Sequence, residues 1–192
     1  MTSADGENRD LRADARRNRE HILDIARERF LEHGVGVSLD GVAKRAGIGI
    51  GTLYRHFPNR EVLLAALLSG RDGQLMGQMN AIKSESSDPA EALDRWLCAL
   101  AGWASAYDGL PEPLRNAIPN EASPLGSTCE SYIAITADFL ADAQREGAAR
   151  PGVRARDLFL LTLATSWVRG AALADEQSAQ ELHALTRASW TA

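Results

Sequence analysis

The sequence predicts an all-α protein of about nine helices, with an N-terminal three-helix head and a larger helical bundle behind it. Two observations carry this. Apolar residues recur at three- and four-residue spacing along the chain, and no stretch alternates as a half-buried strand does. Helix openings such as Asp88-Pro89 and Ser123-Pro124, and closings such as Gly34, Gly47 and Gly147, divide the chain at helical lengths. At 192 residues, 45% hydrophobic and 24% charged, the chain has the make-up of an ordinary soluble protein of one or two compact domains.

Residues 1–15 read as a disordered polar tail, and residues 16–32 as the first helix, with Ile22, Leu23, Ala26 and Phe30 on one stripe and Gly34 as a left-handed cap. Arg9, Arg12, Arg16, Arg17 and Arg19 either reach toward a phosphate backbone or minor groove, or form a solvated segment balanced by Asp10, Asp14 and Glu20. A second helix follows, its face set by Leu39, Val42, Ala43 and Ala46, with Ser38 as N-cap and Asp40 complementing the dipole. Gly47 supplies a tight turn. A third helix runs from about Ile50 to Phe57 and stops before Pro58, which disfavours helical geometry at its predecessor.

Leu53, Phe57, Ile50 and partly Tyr54 face inward on this third helix, while Gly51, Thr52, Arg55 and His56 share the opposite face. A helix this short is not stable alone and has to dock on a neighbour. It nevertheless offers outward a flat surface of hydroxyl, guanidinium and imidazole. That is the layout of a helix-turn-helix whose second helix enters the major groove; a helical hairpin inside a bundle is the alternative.

Residues 16–68, and above all G-T-L-Y-R-H-F-P-N-R-E-V-L-L at 51–64, resemble the DNA-binding head of the TetR family of bacterial transcriptional regulators. The resemblance implies that Ser38, the Tyr54 hydroxyl and Arg60 hold phosphates. It places Thr52, Arg55 and His56 near bases or the adjoining backbone, with Arg45, Ile50 and Gly51 on the same DNA-binding surface. Two positions depart from the commoner pattern. Gly49 stands in place of a frequent serine, and Ile50 in place of a polar or basic residue, so a hydrogen bond at that corner gives way either to a thymine-methyl contact or to packing against Tyr54.

Residues 61–192 then form a ligand-binding and dimerisation domain. Asn59 caps a long helix carrying Val62, Leu63, Ala66 and Leu67, and Gly70, Gly73 and Gly77 are expected to soften or break it, making a hinge for the head. Residues 82–87 read as a loop. Asp88-Pro89-Ala90-Glu91 opens a helix bearing Leu93, Trp96, Leu97, Leu100, Trp103, Ala104 and Tyr107. A short helix falls within 109–119, and Ser123-Pro124 opens another, with Cys129, Tyr132, Ile133, Thr136, Phe139, Leu140 and Ala143 on one side. The segment 154–173 is apolar around most of its circumference, and a capping box at 178–181 opens the last helix, with Leu182, Leu185 and Trp190.

Trp96, Trp103, Tyr107, Tyr132, Phe139 and Met79 line either a pocket or simple core, with Asn116, Thr136 or Glu121 as polar anchors. The lack of Lys and His on these faces favours a neutral or cationic apolar ligand. Leu158, Leu161, Thr165, Trp167, Leu182 and Leu185 are the expected twofold interface, with internal core as the other reading for Trp167 and Leu185. Pairing completes a four-helix bundle and sets two heads about 34 Å apart on a palindrome.

Net charge is −5, divided as +2 over residues 1–60 and −7 over 61–192, so only the head suits DNA. Cytoplasmic placement is expected, since no apolar run reaches membrane length and no signal-peptide core is present. Cys98 and Cys129 are expected as reduced core thiols. No cofactor or metal is expected, and Cys98, Cys129 and His183 have no partners spaced for catalysis. Together these features point to a homodimeric repressor of double-stranded operator DNA released by a small apolar or aromatic effector. A regulator without a ligand, and more remotely an enzyme using the C-terminal pocket, are the rivals.

Overall fold

The computed structural model describes the backbone of residues 3–120, 122–170 and 175–192, with side chains from residue 12 onward. Among the described residues there are nine helices and no strand, apart from a single antiparallel bridge between Ala149 and Thr191. They are α1 (Ser3–His33), α2 (Leu39–Arg45), α3 (Ile50–His56), α4 (Arg60–Glu85), α5 (Pro89–Ala104), α6 (Pro111–Ala117), α7 (Pro124–Arg145), α8 (Ala155–Gly170) and α9 (Glu176–Ala188). Glu121 and Leu173 lie outside the described residues.

Four boundaries differ from the sequence expectation, each for a physical reason. The first helix begins at Ser3 instead of residue 16, so residues 3–15 of the segment read as a tail are helical. Side-chain pairs one turn apart, Arg17 with Asp14 and Arg16 with Glu20, support its described part. The fourth helix is continuous through Gly70, Gly73 and Gly77 and absorbs most of the expected loop at 82–87. Leu67, Leu68, Leu75 and Ile82 are buried along it, and this burial outweighs the weak helix propensity of glycine. The last helix starts at Glu176, because Asp175, ahead of the expected capping box, accepts from Ser178 N at 2.8 Å. The short sixth helix keeps only Pro111–Ala117 of the 109–119 window.

The head is held by Ile22, Ala26, Phe30, Leu39, Val42, Ala43, Leu53 and Phe57, all buried. Besides the packing of α1 on α4, one corner joins it to the body. Gly34 has φ +72°, Val35 N donates to Asp108 O at 2.8 Å, and Phe30 meets Tyr107 edge-on with ring centres 6.0 Å apart. On the far side, Ser123 donates its hydroxyl to Glu61 at 2.8 Å, tying the start of α4 to the start of α7. The body packs α5 against α7 and α8, with α4 across them.

Candidate nucleic-acid interface and effector pocket

The helix-turn-helix is assembled by three local devices. Ser38 Oγ accepts from Gly41 N at 3.0 Å and starts α2; Gly47, at φ +68°, makes the turn; Gly49 N-caps α3 with no side-chain bond. Leu53 and Phe57 are fully buried and anchor α3 to the head, which fixes what the other side presents. Tyr54 is 47% exposed and Ile50 37% exposed, Arg55 is exposed, and Thr52 and His56 are half-buried. Arg55 lies back along its own helix, with Nε donating to Gly51 O and Nη2 to Thr52 Oγ1, both at 3.3 Å. These long bonds are weak and exposed, so the guanidinium can exchange them for a stronger acceptor.

Arg45 is exposed at the end of α2, while its neighbour Lys44 is paired to Asp40 at 2.8 Å. Ser38 has its oxygen committed to the cap, which leaves its hydroxyl proton for a phosphate. Arg60 is a correction. Its guanidinium turns inward to the carbonyls of Val35 and Val37, the latter at 2.7 Å. It therefore fastens the loop before α2 and does not stand free for a phosphate. Arg19 is likewise occupied, lying 4.9 Å over the Phe57 ring.

In the body, the aromatic residues expected around a ligand close on one another. Trp96 stacks on Phe139 with centres 5.6 Å apart, and Trp103 meets Tyr132 edge-on at 4.8 Å. Trp96 Nε1 donates to Thr136 Oγ1 at 2.9 Å, and Tyr132 Oη donates to Asp72 at 2.6 Å. Burial, with Asp72 beside it, pushes the Tyr132 phenol far above its ordinary range. Asn116 is exposed and accepts from Arg115 at 2.9 Å, so it is no anchor here. Tyr107 belongs to the head–body corner instead. Of the expected wall residues, Trp103 alone borders the open cavity between α4 and α5, together with Arg71, Gln74 and Gln78, which the sequence reading passed over.

Leu158 is also a correction: it is buried in the protomer's own core, as α8 turns Leu158, Phe159, Thr162, Leu163 and Ser166 inward. The opposite face carries Leu160 and Trp167, the tryptophan 50% exposed, while Leu161 and Thr165 are half-buried. On α9, Leu185 is 64% exposed and Leu182 half-buried, and no residue of the helix is fully buried. An apolar groove of about 650 Å³ runs beside Leu160, Ala164, Trp167 and Val168 against α6.

Folding also gathers a group that spacing did not foretell. Cys98 is exposed, with Sγ 3.5 Å from His183 Nδ1, and His183 Nε2 lies 3.5 Å from Asp94. Cys98 is thus not the core thiol expected, though the neighbouring chain still partly desolvates its sulfur and, with Asp94, raises the thiol above its ordinary value, the reverse of an activated nucleophile. The adjoining space is about 20 Å³, too small for a substrate, and Arg187 already supplies Asp94 with a counter-charge at 3.4 Å. Cys129 is a core thiol as expected, pushed up to about 12 by burial.

A polar helix displayed on a three-helix head, with an all-helical body behind it, defines the class of helix-turn-helix regulators. Residues 22–67 match the model of bacterial regulatory proteins of the tetR family, and residues 88–188 match the C-terminal domain described as transcriptional regulator SbtR-like. The chain belongs to the TetR family. An HTH-type transcriptional regulator of Staphylococcus aureus (strain USA300) is 48% identical over 54 residues, which are 28% of this chain and 29% of that protein. The match thus spans less than a third of the length of such curated relatives. Among solved structures, TetR transcriptional regulator SCO0520 from Streptomyces coelicolor is 27% identical with TM-score 0.55, over 90% of this chain and 98% of the other. The ketosteroid transcriptional regulator KstR2 of Mycobacterium tuberculosis shares the fold at TM-score 0.59 and 23% identity, over 91% and 95%. Among the described residues no helix is long and apolar enough to cross a membrane.

Proposed function

We propose that the chain is a sequence-specific, cytoplasmic DNA-binding repressor acting as a homodimer on a palindromic operator, without enzymatic activity, and that a small effector releases it. The observation that carries the reading is the outer surface of α3. A helix held by Leu53 and Phe57 leaves Tyr54 and Arg55 exposed beside the half-buried Thr52 and His56, and the only bonds Arg55 makes there are long and exposed ones to Gly51 and Thr52 of its own helix. Ile50, at the start of the same helix, offers an apolar contact suited to a thymine methyl. The half-exposed Trp167 and Leu185 support the pairing of α8 and α9 with their twofold mates.

Release is a population shift. An effector that binds better to a body whose two heads are misspaced lowers operator affinity by the same differential. The test is a gel shift on the protein's own upstream DNA at stated salt. Arg55→Ala is expected to weaken binding by about 1–3 kcal/mol, and Tyr54→Phe by about 1 kcal/mol, with helicity unchanged. Unaltered affinity in both variants removes the assignment of this face.

A further inference from the structure

Asp94 and Cys98 stand one turn apart on α5, at i and i+4, and so share one face of that helix. Across from them α9 brings in His183, its Nδ1 3.5 Å from the Cys98 sulfur and its Nε2 3.5 Å from Asp94. One atom from each of the three residues lies within 4.8 Å of the other two. Ligands bound at about 2.0–2.3 Å to a tetrahedral ion are about 3.3–3.6 Å apart. The sulfur and the imidazole already have that spacing, and a small side-chain rotation at this open surface brings in the carboxylate. The space beside them, about 20 Å³, has room for an ion or a single water and for nothing organic.

Asp94 is the member least well satisfied. Its side chain is 16% exposed, yet its contacts to Arg187 and His183 measure 3.4 and 3.5 Å, long against the roughly 2.7–2.9 Å of a charge-assisted bond. Arg187 is exposed and gives up so loose a pair at little cost. We infer that Asp94, Cys98 and His183 bind a zinc ion, with water in the fourth position, and that the ion fastens α9 to α5. Sulfur and imidazole donors do not suit magnesium or calcium, which take oxygen, and the carboxylate weighs against copper(I), which prefers soft sulfur. Cys98 binds as the thiolate, its proton passing to solvent, and with Asp94 it balances the charge of the ion. The expectation that the chain takes no metal gives way here, because Cys98 and His183 are 85 positions apart and only the folded chain sets them side by side.

Fastening matters for α9 because none of its residues is fully buried. His183 lies between Leu182 and Leu185 of the proposed twofold surface, so zinc is expected to strengthen pairing. That effect rests on the reading of α8 and α9 as the paired helices; the zinc site does not. The full chain, stripped of metal and kept reduced, is titrated with Zn²⁺ against a chromophoric chelator and separately with Co²⁺ followed by absorption. The expected result is one equivalent per protomer with Kd below about 1 μM, and for Co²⁺ tetrahedral ligand-field bands with a thiolate charge-transfer band. Loss of a group that only orients a ligand costs about 10–100-fold in metal affinity, so Cys98→Ser and His183→Gln are each expected to cost about a hundredfold or more. Cys98→Ser alters one atom at an exposed site, so its metal-free melting midpoint is expected to match the parent. Arg187→Met frees Asp94 and is expected to tighten zinc binding, which a stray surface site would not show. Zinc is also expected to slow amide exchange along residues 176–188. Wild-type zinc affinity in Cys98→Ser, a missing charge-transfer band, or less than one equivalent would each overturn the site, and unchanged exchange would overturn the fastening. Zinc bound without any change in self-association keeps the site and sinks its influence on pairing.

Discussion

At the scale of single residues, the most informative position is Gly34. It combines a left-handed backbone, φ +72°, with a neighbour so close that an added Cβ would sit 2.9 Å from the carbonyl oxygen of Asp108. That same oxygen accepts from Val35 N, so a side chain at 34 would push on the joint between head and body. Gly47 has nearly the same φ, +68°, but open space around it. The pair separates conformation from contact. Gly47→Ala is expected to cost about 1–2 kcal/mol through the left-handed conformation alone. Gly34→Ala is expected to cost about 3 kcal/mol, the same term plus a lost backbone hydrogen bond. Urea unfolding of the two variants measures the difference, and equal losses would show that the Asp108 corner yields freely.

Elements obey a different logic, in which packing overrides local preference. Gly70, Gly73 and Gly77 mark a break when the sequence is read alone, yet α4 runs through them from Arg60 to Glu85. All three are exposed, and a Cβ at any of them would meet nothing within 4 Å, so no close approach requires glycine there. What glycine contributes is a helix held by its buried face and weak in its own backbone. We propose that this segment, continuous as it is, serves as the hinge. Gly73→Ala with Gly77→Ala is expected to stabilise the chain by about 1 kcal/mol per site, raising the melting midpoint by about 2–4 °C for each. Ligand-induced loss of operator binding is expected to weaken in the double variant. A stabilised variant that releases its operator as readily as the parent would dispose of the hinge.

For the whole molecule, the proposed function needs two copies, and the protomer's surface supports that reading. Leu160, Trp167 and Leu185 are large, apolar and exposed on α8 and α9, whereas the neighbouring Leu158 and Leu163 are buried inside. Trp167→Glu places a charge at the proposed centre of the paired helices. It is expected to weaken association by about 2 kcal/mol or more, giving a lighter species in analytical ultracentrifugation and a parallel loss of operator affinity. A variant that stays dimeric with its DNA binding intact would move the interface elsewhere on the chain.

The residues alone determined the all-helical class, the helix-turn-helix, and part of the outward set on α3, because these follow from local periodicity, caps and the turn at Gly47, which act within a few residues. Arg55 is exposed as read from the sequence, whereas Ile50 and Tyr54, read as inward or partly so, are exposed, and Thr52 and His56, read as outward, are half-buried. Tertiary structure decided the rest, since it depends on which distant groups meet. It turned Arg60 onto the carbonyls of Val35 and Val37, closed Trp96 and Phe139 on each other, and sent Leu158 inward. It also set His183 of α9 beside Cys98 and Asp94 of α5. Burial and such meetings are properties of packed neighbours, and no spacing along one chain encodes them.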